Sequence, residues 1–247
     1  MKHIETNPST EITVTTNGRK TSFSLYSPEG SEYLSTLWLK LAAQNRLMYE
    51  VQWMGIPFIQ LAEDMAMMHE MLWRLKPDVI VECGIGQCGG LLFYASMMEL
   101  IGKGRVIGVD IEIRESNRTR LLANPLSKRV ELIEGSSSSP EIFNRVKEKI
   151  KPGEVVLVIL DSDHTYEHVA REMALYHPLI SSGSYLVVMD GGAAHVWDIP
   201  RGQAKYRDNH PLLAIEGFVA RHPEFSIDPH FNRLAVTSSP LGFLRRS

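Results

Sequence analysis

Between residues 78 and 190, short apolar runs alternate with longer segments whose apolar residues recur at three- and four-residue spacing. The runs read as strands: "DVIVE" (78–82), "RVIGVD" (105–110), "RVELIE" (129–134), "EVVLVILD" (154–161) and "SYLVVMD" (184–190). Between them lie helix candidates near 89–102, 114–123, 139–149 and 164–180. Strands this rich in Val, Ile and Leu bury both faces, as a parallel sheet covered by helices on either side requires. The pattern predicts an α/β fold with a mostly parallel, doubly wound sheet.

The flanks read differently. Residues 12–26, "ITVTTNGRKTSFSLY", alternate polar and apolar around Asn17-Gly18, a strong hairpin signal, so an N-terminal ribbon is expected. Leu34, Leu37, Trp38, Leu41 and Leu47 follow at mainly helical spacing, then Leu61, Met65, Met68 and Leu72, with the methionines read as core filler. We divide the chain into an N-terminal hairpin and helical arm (1–55) and a main domain (56–247). Near the other end, a helix at 210–222 precedes "EFSIDP" and "LAVTSS", which read as a closing antiparallel hairpin. The loop 191–209 is long enough to be a lid over a site.

Of the 247 residues, 44% are hydrophobic and 22% charged, an ordinary globular balance with material for a full core. A net charge of -3 provides no basic footprint for nucleic acid and points to a small-molecule partner. No apolar run approaches the ~18 residues of a membrane span, and the first twenty residues are too polar for a secretory leader. Two cysteines, Cys83 and Cys88, have neither disulfide-framework numbers nor C-x-x-C spacing. A cytoplasmic protein is expected, assembled as a homo-oligomer.

In open α/β sheets, ligands bind at the carboxyl ends of the strands. Here those ends read Glu82, Asp110, Glu134 to Ser137, Asp161 and Asp190. One acid after a strand is an ordinary helix cap; a rim of them points to a ligand with hydroxyls, a positive charge or a metal. The first turn contains Gly84-x-Gly86-x-x-Gly89, with Asp110 at the end of the next strand, placed for a ribose diol. Glu82 would repel a pyrophosphate and suits a cationic ligand, which favours S-adenosylmethionine over NAD.

The stretch "LDSDHTYEHV" (160–169) also spells H-x-x-E-H across His164, Glu167 and His168, a zinc-peptidase pattern. That pattern belongs within one helix, whereas His164 sits where a strand hands over to one, so His168 reads as a solvated or packed flank residue. His164 is a candidate general base for a hydroxyl acceptor. Aspartates near it could hold a divalent ion, and oxygen ligands favour Mg2+ over zinc.

The stretches "VECGIGQCGGLLFYASMMELIGKGRVIGVDIEIR", "NPLSKRVELIEGSSSSPE", "VLVILDSDHTYEHVAREMALYHPLISSGSYLVVMD" and "HPEFSIDPHFNRLAVTSSPLGFLRR" resemble the cephalosporin hydroxylase family over roughly residues 50–246. That family includes rhamnosyl O-methyltransferases. The resemblance implies a Rossmann-like methyltransferase fold with S-adenosylmethionine over Gly84, Gly86 and Asp110. It also implies Mg2+ at the aspartate matching Asp161 and at a Glu-Asp pair after the next strand, with the histidine matching His164 as general base. The chain departs where that Glu-Asp is Met189-Asp190, since a thioether is a poor Mg2+ ligand. Asp163 or His195 could supply the missing ligand. Leu91, where a serine often follows the paired glycines, is a second departure.

The function expected is O-methylation of a hydroxyl on a sugar, glycosylated natural product or glycolipid. Glu82, Gly84, Gly86, Asp110, Ser137 and Asp161 are the candidate cofactor residues; Asp161 and Asp190 are the candidate metal ligands. His195, Trp197 and Tyr206 of the lid are candidates to face the acceptor. The competing readings are a non-catalytic cofactor-binding partner and an NAD-dependent oxidoreductase or epimerase.

Overall fold

The computed structural model describes residues 3–7 and 10–247. A three-stranded antiparallel sheet opens the chain: β1 (His3–Asn7), β2 (Glu11–Thr16) and β3 (Arg19–Ser24), in that order. Asn17 and Gly18 join β2 to β3 with φ of 52° and 77°, the paired positive values that an Asn-Gly hairpin turn accommodates without strain. Helix α1 (Pro28–Asn45) follows, capped by Ser27, whose Oγ accepts the Gly30 N–H at 3.1 Å. Its packed side carries Leu39 and Ala42; Leu34, Trp38 and Leu41 of the stripe read from the sequence lie exposed. A short hairpin, β4 (Gln52–Trp53) and β5 (Ile56–Pro57), leads into α2 (Ala62–Leu75), where Met68 and Leu72 are buried as expected.

The main sheet is built from β6 (Val79–Cys83), β7 (Arg105–Asp110), β8 (Val130–Glu134), β9 (Val156–Leu160), β10 (Tyr185–Val188), β11 (Phe225–Ile227) and β12 (Phe243–Arg246). Its helices are α3 (Gly89–Ile101), α4 (Glu115–Leu122), α5 (Pro140–Glu148), α6 (Tyr166–Tyr176), α7 (Ala193–Val196) and α8 (Pro211–Val219). The spatial order is β11-β12-β10-β9-β6-β7-β8, with β8 through β10 parallel and β11 and β12 antiparallel. The fold is therefore α/β and Rossmann-like, with chain order reversing between β6 and β9. Alternating residues of β6 feed two apolar layers: Ile80 packs with Met68, Leu72 and Leu91 beneath α2 and α3, while Val79 and Val81 pack with Met173 and Ile215 beneath α6 and α8.

The closing hairpin differs from expectation in its second strand. β11 pairs with β12 in the register Phe225↔Arg246, and "LAVTSS" (234–239) runs elsewhere. That segment is held by Asp64, a buried carboxylate that accepts from Ser238 N–H at 2.8 Å, Ser238 Oγ at 2.7 Å and Thr237 Oγ1. Burial pushes the Asp64 carboxyl above its usual range, and these bonds offset part of that cost. Among the described residues, no helix is long and apolar enough to cross a membrane.

Candidate active site

The strand order opens a crevice at the carboxyl ends of β6 and β9, and the glycine turn sits in it. Gly84 has φ +89°, and a Cβ there would stand 2.1 Å from the Asp161 carbonyl oxygen, so only glycine lets the two strand ends meet. Asp110 steadies the turn: its Oδ2 accepts from Ile85 N–H at 2.9 Å and Gly86 N–H at 3.3 Å. Leu91, the departure from the family's serine, is fully buried and lies over Gly108 on the neighbouring strand.

A cleft of about 500 Å³ runs along this rim, walled by Gly84, Gly86, Asp110, Ser137, Asp161 and His164. It joins a smaller hollow of about 180 Å³ that reaches Glu82 and Asp190. The residues expected to hold the cofactor each line one or both of these adjacent hollows. Glu82 is 3% exposed and lies under Gly90, where a Cβ would come within 2.4 Å of its Oε1. Its Oε2 has no hydrogen-bond partner among the described residues, and loss of hydration, then the nearby Asp110, pushes its carboxyl well above the usual range. Asp161 is raised in the same way, by loss of hydration and then by Asp190 and Glu82. Buried acids pressed together like this are relieved by a cation. The ammonium and sulfonium of S-adenosylmethionine fit that demand.

The second focus lies where β9 and β10 end. His164 Nε2 stands 3.1 Å from Asp190 Oδ2. One donor atom from each of Asp161, His164 and Asp190 lies within 4.8 Å of the others. Asp190 has φ +55°, uncommon for a side chain larger than glycine, and its N–H donates to Ser239 Oγ at 3.2 Å. Met189 turns the opposite way, 1% exposed in the apolar layer, with its sulfur 3.5 Å from Ser239 Oγ. Beside the two aspartates stands His164 and not a third carboxylate. Asp163 lines the same cleft and its Oδ1 accepts the Thr165 N–H at 2.8 Å, while His195 lines a hollow against α1; neither belongs to the close group of Asp161, His164 and Asp190 among the described residues.

A further hollow of about 250 Å³ opens from His164 and Asp190 between α1 and the lid, walled by Leu39, Met48, Tyr49, Ile199 and Tyr206. The lid is partly regular, with α7 and a turn of 3-10 helix at Ala204–Arg207. Lys40 of α1 pairs with Asp198 at 2.6 Å, fastening α1 to the loop 191–209. Trp197 packs beneath the Arg207 guanidinium, which lies 5.5 Å from the indole ring centre, while Tyr206 lines both the cleft of about 500 Å³ and this hollow.

His168 is more than a flank residue. It lines the cleft of about 500 Å³, with Nε2 3.2 Å from the fully buried Glu172, which also accepts from Ser162 Oγ at 2.7 Å. Glu172 raises the His168 pKa against the opposing effect of burial. The signal was readable, since His168 and Glu172 are four residues apart on one helix face. His164 precedes α6 altogether, so the zinc-peptidase pattern has no geometric counterpart.

The model for rhamnosyl O-methyltransferase/CmcI matches residues 45–247. The chain belongs to this family. With it comes the enzyme class, S-adenosylmethionine-dependent O-methyltransferase, which leaves the dinucleotide reading of the glycine turn without support. The family member is 31% identical over 221 residues to the rhamnosyl O-methyltransferase of Mycobacterium tuberculosis H37Rv, covering 82% of this chain and 81% of that protein. It is 33% identical over 177 residues to the rhamnosyl O-methyltransferase of Mycobacterium leprae, covering 69% of this chain and 71% of that one. Among solved structures, apo CmcI superposes with a TM-score of 0.59 at 24% identity, over 80% of this chain and 76% of that chain. CmcI with Mg and SAM gives 0.59 at 22% identity, over 81% and 77%. These two likenesses concern the fold.

Proposed function

We propose that this methyltransferase acts on a hydroxyl of a sugar, whether in a glycosylated natural product or a glycolipid, with His164 as general base. The observation that supports the reading best is the His164–Asp190 pair at 3.1 Å, placed where the cofactor cleft and the hollow beneath the lid meet. S-adenosylmethionine supplies the electrophilic methyl group. If Asp190 accepts the Nε2–H of His164, the lone pair of Nδ1 is left to take the hydroxyl proton as the new C–O bond forms and the C–S bond breaks. Asp190 then stabilises the imidazolium, as a carboxylate does in a catalytic dyad.

Asp161 and Asp190 would hold Mg2+, whose charge lowers the pKa of a nearby hydroxyl. The pressure of neighbouring acids on Asp161 supports a cation there, although the donor set has two carboxylates where the family resemblance implies three. Glu82, Gly84, Gly86, Asp110, Ser137 and Asp161 would form the cofactor site. Residues 1–55 would act as an arm over the main domain, closing the acceptor side. The homo-oligomer belongs to the same proposal and is supported by Trp38 and Leu41, 43% and 49% exposed on α1.

The test is transfer of a labelled methyl group from S-adenosylmethionine to a panel of glycosides, with and without Mg2+. Label reaching a glycoside, and lost in His164→Ala, supports the proposal. Cofactor binding without turnover on any acceptor would favour the non-catalytic partner instead.

A further inference from the structure

Away from the rim, His177 at the end of one helix meets two residues of the loop between α8 and β11. His177 follows the end of α6, His222 follows α8, and Glu224 precedes β11. One donor atom from each lies within 4.8 Å of the others. α6 has 11 residues, so at 1.5 Å per residue this cluster sits about 16 Å along the helix from the catalytic end.

The local bonding prepares the two imidazoles as ligands. His177 Nδ1 lies 3.0 Å from the Met173 carbonyl oxygen. A carbonyl only accepts, so Nδ1 carries the proton and Nε2 keeps the lone pair. Fixing the tautomer through the other ring nitrogen is the usual support of a metal-bound histidine. His222 Nδ1 lies 3.1 Å from Glu224 Oε1, and its ring stacks on Phe218 at 4.2 Å and 22°. The two imidazole centres are 4.5 Å apart. An ion pair accounts for His222 and Glu224; His177 is held beside them by edge contacts with Phe218 and Phe225, which leave its Nε2 without a recorded hydrogen-bond partner among the described residues.

We propose that His177, His222 and Glu224 bind a divalent transition-metal ion of the zinc type. Two imidazoles and one carboxylate suit Zn2+ better than the hard Mg2+, which prefers oxygen alone. Small rotations bring the donors to a shared ion, which takes the place of the proton that His222 donates to Glu224. The ion fastens the end of α6 to α8 and to the edge strand β11, so its effect is on stability and not on methyl transfer.

The experiment uses the full chain carrying Asp190→Asn, which disables the rim cluster, titrated with Co2+ and then Zn2+ in excess Mg2+. The expected result is one Co2+ per chain with a visible absorption band of low-coordinate geometry, bleached by Zn2+. His222→Gln or Glu224→Gln in that background should abolish the band. In the otherwise wild-type chain, either substitution should leave methyl transfer unchanged. Zn2+ at a hundredfold its dissociation constant should raise the melting temperature by about 5 to 11 °C, an increase lost in either variant. Absence of the band, or its survival in both variants, would overturn the assignment. Glu224 is partly exposed, so its substitution tests the site without disturbing the core.

Discussion

Replacing Met189 by glutamate restores the acid that the family resemblance implies, and the structure says it will harm the protein. The Met189 side chain is 1% exposed in an apolar layer, with Ser239 Oγ as its recorded polar contact. Losing its burial costs about 2 kcal/mol. Holding the new carboxyl neutral at pH 7, with its pKa raised roughly three units by burial, costs about 4 kcal/mol more. The sum of about 6 kcal/mol is a large part of a typical folding free energy and corresponds to a fall of at least about 12 °C in melting temperature for a chain of this size. The sign with pH is specific. A carboxyl whose folded pKa is raised destabilises above its unfolded pKa of about 4.3, so the deficit against wild type should shrink by about 2 to 3 kcal/mol between pH 7 and pH 5. Met189→Leu, which keeps shape and polarity, should cost less than about 1.5 kcal/mol. Thermal melts of the three proteins at both pH values, with and without Mg2+, check this. A Met189→Glu protein that melts near wild type and gains Mg2+-dependent activity would show that residue 189 faces the site, refuting the reasoning.

His164→Ala should lower methyl transfer by about 10²- to 10⁴-fold while calorimetry still detects S-adenosylhomocysteine, because the base acts on the acceptor and not on the cofactor. His168, whose pKa is raised chiefly by Glu172, contributes stability that is complete below its unfolded pKa of about 6.5 and disappears as pH rises through the higher folded value. His168→Gln should therefore flatten denaturant-derived stability against pH just above neutrality; an unchanged slope would show that the pair does not form. Gly84→Ala should cost more than about 3 kcal/mol in urea unfolding, since its Cβ would stand 2.1 Å from the Asp161 carbonyl oxygen. Gly153→Ala, at φ +85° but with open space around it, should cost only about 1 kcal/mol. If Mg2+ is held at Asp161 and Asp190, exhaustive EDTA treatment should reduce activity and added Mg2+ should restore it; activity unchanged by EDTA would mark a metal-free variant.

The five parallel strands and most helices were legible because their cues are local: an apolar run too continuous for a one-sided strand, then an amphipathic period. The observed strand bounds differ by at most two residues, as at β9, expected over 154–161 and observed over Val156–Leu160, while α6 and α8 stop three or four residues short of expectation. The misreadings concern which of two similar partners is chosen. "LAVTSS" has the composition of a strand, but Thr237 and Ser238 satisfy Asp64, some 170 residues away in sequence, and β12 takes the edge position. The leucines of α1 have helical spacing, but the side that packs is chosen by where Gly192 and the lid lie. From sequence His168 reads as a solvated or packed flank residue, because the cleft it lines does not exist until β9 and β8 are placed.

By itself, the sequence determined the class of fold, the glycine turn and the acid at each strand end, since apolar period and turn chemistry act between neighbours in the chain. Tertiary structure decided which acids meet. Parallel pairing sets Leu160 beside Val188, bringing the chain beyond β9 next to the chain beyond β10. Met189 follows Val187 by two residues onto the same inward face, and the chain at Asp190 turns into the left-handed region with its carboxylate 3.1 Å from His164. No local preference encodes that distance, because it depends on strand order and on a conformation held from outside by Ser239.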